Sequence, residues 1–251
     1  MAIAHGSVFI AAAAFSHPQS MSHNHQPSAL SHGVVTVIAL GDSTTAGTPG
    51  FTSPIEAPPN GVGNVQSQYA YWLMKTHPDW RVLNRGVNGE RSDQVRTRFE
   101  RDLRDLIEER RRGRDGPVVV VIVAGVNDIY QGRGADLVEH ELEVMYDAAR
   151  GARIPVVAGT IIPFNTATDD QNRRMHAVNA WIRQYAQSHS GVAYCDTRAA
   201  VAAPGHPDRL VSSPDDLHPS PDGYRLMALA LEPAIAQLIA GDGWSRLDPV
   251  R

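Results

Sequence analysis

The run PVVVVIVA at residues 117–124 constrains the fold more than any other part of the sequence. Five valines and one isoleucine in succession are typical of a β-strand, and the run is far too short to span a membrane as a helix. A strand that carries no polar side chain on either face must be buried on both, as the central strands of parallel sheets are. The run therefore predicts a parallel sheet with helices on both of its faces.

Other segments have the short apolar character of strands or the longer apolar period of helices. The predicted strands are residues 34–40, 80–84, 117–124, 154–162 and 191–196. The predicted helices are residues 66–77, 92–113, 135–150, 169–188 and 221–240. Because strands and helices alternate, the sequence predicts one α/β domain over residues 34–241 with a five-stranded parallel sheet.

The segments outside this alternation are predicted to lack regular structure. Residues 48–65 and 203–214 are rich in proline and are interpreted as loops, and the density of breakers in the first is expected to exclude any helix or strand. Residues 1–33, rich in Ala, Ser and His, are predicted to be a mobile leader, and residues 242–251 a C-terminal tail. A metal site at His23 and His25 is a weak alternative use of the leader, because nothing around that pair would hold its ligands in place.

Composition excludes several classes of function. The net charge of −4 gives no reason to expect a nucleic-acid partner, and no apolar run is long enough for membrane insertion. Cys195 is the single cysteine, so an internal disulfide is impossible, and we interpret it as a small core residue. Residues 7–15 resemble the core of a signal peptide, but the first basic residue is Lys75. A cytoplasmic location is therefore favoured over export.

Three polar residues and one glycine that a core does not need follow three of the strands and precede the last helix. They are Ser43, Gly89, Asn127 and His218. The carboxyl ends of parallel strands meet at one edge of a sheet, where open α/β folds bind ligands. We therefore expect these residues to lie close together. A simpler alternative for the first of them is that Asp42, Ser43 and Thr44 only cap the helix that follows.

The residue types at this edge match the needs of nucleophilic catalysis. A serine such as Ser43 is a poor nucleophile until a base, here His218, takes its proton. The second ring nitrogen of that histidine needs a carboxylate, and Asp215 is three residues away. The negative oxygen that develops in the reaction needs fixed donors, for which the N–H groups of Ser43 and Gly89 and the Asn127 amide are available.

Four short motifs resemble the blocks of the SGNH (GDSL) hydrolases. They are GDS at residues 41–43, the glycine of NGE at 89, GVND at 125–128 and DDLH at 215–218. The resemblance implies a flavodoxin-like three-layer α/β/α fold without metal or cofactor. It also implies Ser43 as nucleophile, His218 as base, Asp215 as its orienter, and Gly89 and Asn127 as oxyanion donors. The second block often continues with Asp-Thr, whereas this chain has Glu90 and Arg91.

Alternatives remain for several of these assignments. Asp216 competes with Asp215 as the orienting carboxylate, and His176 and His206 compete with His218 as the base, although we interpret both as surface residues. Asn127 has a simpler interpretation as a turn residue, because Asn-Asp favours turns. An α/β-hydrolase is excluded because the sequence has no GxSxG elbow.

These observations predict a serine esterase that acts on a small-molecule ester with a short acyl chain. A carbohydrate O-acetylesterase or a lysophospholipase with the same machinery is the nearest alternative, and a non-catalytic flavodoxin-like binding module is an alternative of another class. The loop at residues 48–65 leaves from the serine turn, so Phe51, Ile55 and Val62 are predicted to line a short acyl pocket.

Overall fold

The valine run forms the central strand of the fold. In a computed structural model, which describes residues 1–2, 33–111 and 116–241, all six residues of the strand Val118–Val123 are buried. The chain divides into the units Met1–Ser31 and His32–Arg251, and the fold is that of the second unit. The predicted leader at 1–33 and the tail at 242–251 fall almost entirely outside the described residues, as do His23 and His25.

Strands and helices alternate along the described chain. The strands are β1 Val35–Gly41, β2 Phe51–Thr52, β3 Val62–Gly63, β4 Trp80–Gly86, β5 Val118–Val123, β6 Val156–Gly159, β7 Val192–Cys195, β8 Ala202–Ala203 and β9 His206–Leu210. The helices are α1 Ser43–Ala46, α2 Tyr69–Thr76, α3 Ser92–Arg111, α4 Val126–Tyr130, α5 Ala135–Gly151, α6 Asp169–Ser188, α7 Thr197–Val201 and α8 Pro221–Ala240. A 3₁₀ turn at Val65–Ser67 precedes α2.

Five strands form one parallel sheet in the order β4-β1-β5-β6-β7. Alternate residues of β5 point to opposite faces: Val120 and Ile122 join the core formed with α3, α5 and α6, and Val119 and Val121 join the core formed with α2 and α8. The predicted three-layer α/β/α fold with a five-stranded parallel sheet is thus confirmed. Within the described residues, no helix is both long enough and apolar enough to cross a membrane.

The long helices α6 and α8 begin and end at the predicted residues because the sequence caps them. Thr168 accepts a hydrogen bond from the Gln171 N–H, and the Gln171 side chain accepts one from the Thr168 N–H, which completes a capping box before α6. Ser220 caps α8, and Pro221 stands at its first position, where its missing N–H costs nothing.

The two predicted loops contain short strands, so the prediction that they lack regular structure is wrong. In the first, Phe51–Thr52 pairs with Val62–Gly63, and Pro54, Pro58 and Pro59 lie in the connection between the paired residues. In the second, β8 and β9 form another antiparallel pair. The prolines interrupt neither pair. The first pair is short enough to fit between prolines, and the second tolerates a proline because an edge strand need not use every N–H in pairing.

The fourth strand is shorter than predicted, since β6 ends at Gly159 and not at Ile162. The Asn179 side chain explains the early end. It accepts a hydrogen bond from the Ile161 N–H at 2.8 Å and donates one to the Ile161 carbonyl at 2.9 Å. A side-chain amide therefore satisfies the backbone groups that a neighbouring strand would otherwise pair.

Candidate active site

Ser43 stands at the carboxyl end of β1 as the first residue of helix α1. Asp42 caps this helix by accepting a hydrogen bond from the Thr44 N–H at 2.9 Å, and Gly47 ends it with a φ of 108°. The prediction that this turn caps the following helix is therefore correct for Asp42. It also fixes Ser43, whose side chain is buried and directed at a histidine from the other end of the chain.

That histidine is His218, in the loop before α8. Its Nε2 lies 2.9 Å from the Ser43 Oγ, and its Nδ1 lies 2.7 Å from the Asp215 Oδ2. A carboxylate beside Nδ1 holds the proton on that nitrogen and leaves Nε2 free to accept the serine proton. The structure thus brings Ser43, His218 and Asp215 together in one hydrogen-bonded row.

Local hydrogen bonds hold Asp215 in place. Its Oδ1 accepts from the His218 N–H at 2.8 Å and from the Leu217 N–H at 3.1 Å, so the carboxylate caps its own loop. Burial by itself raises the pKa of Asp215, but the hydrogen bonds from the His218 ring and from these two N–H groups outweigh burial and lower that pKa below its usual value.

The neighbouring carboxylate, Asp216, lies elsewhere. It has a φ of 63°, and its Oδ1 accepts from the Asn165 Nδ2 at 2.9 Å. Its carbonyl accepts from the Asn165 N–H at 2.7 Å. The left-handed backbone turns Asp216 toward the loop after β6, so the structure places Asp215, and not Asp216, on the His218 ring.

The three predicted oxyanion donors come from three turns. The Ser43 N–H has no acceptor within its own helix, because the first residues of a helix never do. Gly89 has a φ of 77°, and apart from its chain neighbours no described atom lies within 4 Å of the position where a Cβ would stand, so that side of the residue is open. Asn127 lies in the first turn of α4, which the sequence did not predict as a helix, and its Nδ2 donates one hydrogen to the Glu90 carbonyl at 2.9 Å. The amide keeps a second hydrogen.

Two buried carboxylates, Asp42 and Asp128, tie these turns together; the sequence motifs predict only the helix-capping role of Asp42. Asp128 accepts from the Ser92 N–H at 2.7 Å and from the Ser92 hydroxyl at 2.9 Å, which joins the turn after β5 to the start of α3. Asp42 accepts a backbone hydrogen bond from Gly125, which joins the serine turn to the turn after β5. Both aspartates were visible in the sequence motifs, because GDS places Asp42 beside Ser43 and GVND places Asp128 beside Asn127.

Burial dominates the electrostatics of these two carboxylates. It raises the pKa of Asp42 to about 7, against hydrogen bonds from Thr44 and Gly125 that lower it. The charge of Asp128 adds to the rise. Burial also raises the pKa of Asp128, although the bonds from Ser92 and the nearby Arg133 oppose the change.

The competing histidines do not reach Ser43. His176 is half exposed, and its Nε2 lies 2.7 Å from the Asp208 Oδ1. His206 is exposed in β9. Cys195 is buried as predicted, and its Sγ donates to the Ala230 carbonyl at 3.2 Å.

The three predicted acyl-pocket residues have different surroundings. Phe51 is buried against Gly61, where an added Cβ would stand 2.5 Å from the phenylalanine ring. Ile55 is half-buried and Val62 is exposed. Their contact with an acyl chain stays a prediction.

Comparisons with known proteins agree with this fold and these motifs. The fold and the site define the class: an α/β/α protein with a serine, a histidine and an aspartate at the carboxyl edge of a parallel sheet. A family model described as the GDSL-like lipase/acylhydrolase family matches residues 39–226. The chain therefore belongs to this family, as the motifs predicted. A comparison with curated protein sequences gave no significant match.

Solved structures share the fold at low sequence identity. A GDSL-like lipase from Bacteroides thetaiotaomicron is 21% identical, with 81% of this chain and 88% of that chain covered and a TM-score of 0.61. TesA is 19% identical, with coverage of 81% and 99% and a TM-score of 0.62. A catalytic mutant of the acetylxylan esterase Axe2 from Geobacillus stearothermophilus is 19% identical, with coverage of 84% and 98% and a TM-score of 0.60.

Proposed function

We propose that this protein is a serine esterase that hydrolyses short-chain carboxylic esters through an acyl-enzyme intermediate. One observation carries the proposal: a buried serine hydroxyl lies 2.9 Å from a histidine nitrogen whose other ring nitrogen lies 2.7 Å from a carboxylate. Membership in an acylhydrolase family agrees with it.

In the first half of the reaction, Ser43 takes the acyl group. His218 Nε2 accepts the hydroxyl proton while Oγ attacks the ester carbonyl carbon, and the carbonyl electron pair moves onto oxygen. When that pair returns, the bond to the alcohol oxygen breaks, and the alcohol leaves with the proton that His218 gives back. Asp215 stays ionised throughout, because its lowered pKa keeps it a carboxylate at neutral pH.

In the second half, water removes the acyl group. His218 takes a proton from the water, whose oxygen attacks the acyl carbonyl, and the proton then passes to Ser43 Oγ as the carboxylic acid leaves. Both halves pass through a tetrahedral oxyanion. The N–H groups of Ser43 and Gly89 and the second amide hydrogen of Asn127 are the donors that we assign to it.

Two features support a short acyl chain. The gap between the serine turn and β5, which Asp42, Thr44 and Val123 help to line, has no room for a water molecule, so no acyl tunnel enters the core there. The 48–65 loop is tied down at two points. Ser53 Oγ donates to the Gly86 carbonyl at 2.6 Å, and Tyr224 Oη donates to the Thr48 carbonyl at 2.9 Å. A tethered loop can act as a fixed wall.

An exposed aromatic ring favours a carbohydrate ester as the second candidate substrate. Tyr130 follows Asn127 by three residues on α4, so the two side chains share a helix face. Tyr130 is 56% exposed as a residue, and its ring packs edge-on against Phe164, with ring centroids 5.8 Å apart. A supported, exposed ring beside the site gives a sugar a surface to stack on. Acetylated xylo-oligosaccharides are the ones to test first, since an acetylxylan esterase has a similar fold.

The test is hydrolysis of p-nitrophenyl esters of increasing chain length by the purified full-length protein. We expect kcat/KM to be highest from acetate to butyrate and then to fall, because a longer chain meets the fixed wall of the tethered loop and gains none of the roughly 0.8 kcal/mol that burial of each methylene provides. A flat profile out to long chains would contradict the short-chain assignment. A complete lack of turnover on every ester would favour the non-catalytic binding module.

A further inference from the structure

Arg98 is an unusually buried arginine on the sheet-facing side of α3. Only 8% of its side chain is exposed, and arginine is rarely buried without partners for its charge and its donors. Asp102, one helical turn later and also buried, supplies part of the compensation, with its Oδ2 at 3.5 Å from Arg98 Nη1. The other described partners of Arg98 lie at the ends of β1 and β4 and in the turn that contains Gly89, beside the candidate site.

The first two of these partners are backbone carbonyls at the ends of neighbouring strands. Arg98 Nη2 donates to the Gly41 carbonyl at 3.2 Å, and Nη1 donates to the Arg85 carbonyl at 2.7 Å. Gly41 is the last residue of β1, two positions before Ser43, and Arg85 is the penultimate residue of β4. One planar guanidinium therefore holds the ends of two strands at a fixed separation.

The third partner is the carboxylate of Glu90. Its Oε2 lies 2.7 Å from Arg98 Nη2 and 3.2 Å from Nε, so the pair is both charged and directional. Glu90 directly follows Gly89, and its carbonyl is the acceptor for Asn127 Nδ2 at 2.9 Å. The side chain of Glu90 is thus held by Arg98, while its backbone holds the Asn127 amide.

We infer that Arg98 and Glu90 are positioning residues that set the two oxyanion donors of Gly89 and Asn127 relative to Ser43. The inference rests on the proposed esterase function. Arg98 links the serine strand to Glu90, and Glu90 links Arg98 to both donors, so the nucleophile and the oxyanion site share one rigid connection. Neither residue touches the reacting atoms. Their effect is on geometry, to which oxyanion stabilisation is sensitive.

Arg96, on the same helix, provides a matched control. It is more exposed than Arg98, with 33% of its side chain accessible, and it pairs with Glu141 on α5 and with Glu100 at 3.3 Å, away from the site turns. Replacing either arginine by lysine keeps the positive charge and the aliphatic stem. A lysine at 98 has one nitrogen in place of the three that Arg98 uses for Gly41, Arg85 and Glu90, so it cannot hold all of these acceptors.

The experiment measures kcat and KM for p-nitrophenyl acetate, together with Tm, for wild type, Arg98→Lys, Glu90→Gln and Arg96→Lys. For Arg98→Lys we expect kcat to fall roughly 30- to 100-fold while KM changes less than about threefold, the signature of an interaction needed in the transition state. For Glu90→Gln, which keeps one acceptor oxygen, we expect a loss of about tenfold. Arg96→Lys should stay within about twofold of wild type.

A second readout separates positioning from a general loss of stability. The inhibition constant of an alkyl boronic acid, which forms a tetrahedral adduct with a serine, should rise in Arg98→Lys in parallel with the fall in kcat. Equal kcat values for Arg98→Lys and Arg96→Lys would overturn the inference, and so would a loss confined to KM or an unchanged inhibition constant. Those results would leave the esterase function standing. A wild-type protein without ester turnover would overturn both.

Discussion

Among the residues that the structure describes, two histidine–aspartate pairs have the same length. His218 Nδ1 lies 2.7 Å from the Asp215 Oδ2, and His176 Nε2 lies 2.7 Å from the Asp208 Oδ1. In both pairs burial raises the aspartate pKa, and hydrogen bonds from the partners outweigh it and lower that pKa. The two pairs thus share the same distance and the same direction of the shift in the aspartate pKa.

Their surroundings differ. The side chain of His218 is 7% exposed, and its second nitrogen faces the Ser43 hydroxyl, whereas the side chain of His176 is 49% exposed. Asp208 also accepts a hydrogen bond from Arg198 at 2.6 Å, so it serves a structural ion pair as well. A carboxylate beside a histidine is therefore not enough to make a catalytic base. The histidine must also be shielded from water and presented to a nucleophile.

The largest expected effect comes from removing the serine hydroxyl that faces His218, because only this histidine–aspartate pair has such a partner. Ser43→Ala deletes one oxygen and should lower kcat by about a millionfold, as loss of a triad nucleophile does. Activity on p-nitrophenyl acetate is the measurement. Ser188→Ala, at the end of α6, is the control and should stay near wild type, since its hydroxyl bonds only to nearby groups of its own helix end. Substantial activity in Ser43→Ala would show that another residue is the nucleophile.

The second prediction sets the two carboxylates against each other. Asp215→Asn should reduce kcat by roughly ten-thousandfold, because the amide no longer holds the required tautomer of His218. Asp208→Asn and Asp216→Asn should each change kcat by less than about threefold, because neither carboxylate contacts His218. If the Asp208 or Asp216 variant loses as much activity as the Asp215 variant, the distinction between the pairs fails.

The third prediction compares two asparagines that both donate to a backbone carbonyl. Asn127→Ala should lower kcat by about a hundred- to a thousandfold with little change in KM, because it removes an oxyanion donor. Asn179 lines the surface cavity that contains His176, and its amide serves only Ile161 in the backbone. Asn179→Ala should therefore lower the free energy of unfolding by about 1–3 kcal/mol while kcat stays near wild type. If kcat fell as much in Asn179→Ala as in Asn127→Ala, the assignment of a catalytic role to Asn127 and a structural role to Asn179 would be wrong.

The smallest effect concerns acid stability. The folded-state pKa of Asp208 lies below the unfolded value of about 3.9, so this carboxylate contributes stability that is fully present above the unfolded pKa. That contribution is lost as pH falls through the lower, folded-state pKa. We therefore expect the Tm of wild type to fall more steeply below about pH 4 than the Tm of Asp208→Asn. Identical slopes in the two proteins would show that the pair contributes nothing to acid stability.

Much of the fold and of the site's core could be predicted from the sequence because the signals are local. The valine run, the Thr168 and Ser220 caps and the four motifs each express a short-range rule, and parallel strands bring the motifs to one edge. The spacing between Asp215 and His218 is local as well, which is why this pair could be chosen over the pair at His176.

The remaining features depend on contacts between distant residues. The Asn179 amide that ends β6 and the Arg98 contacts to two strands join positions far apart in the chain. The sequence did indicate that Arg98 is unusual, because it follows Val95 by three residues and so lies beside the apolar stripe of α3. The DDLH motif favoured Asp215 over Asp216, but no sequence pattern specified the positive φ that turns Asp216 away from His218.

The central claim is that Ser43 carries the acyl group, and trapping that group tests it most directly. The protein would be mixed with p-nitrophenyl acetate, quenched in acid within the first turnover, digested and analysed by mass spectrometry. We predict one acetyl group on the peptide that contains Ser43, and none on that peptide in Ser43→Ala. Acetyl on a different residue, or turnover with no acyl-enzyme on any rapid-quench timescale, would contradict the account.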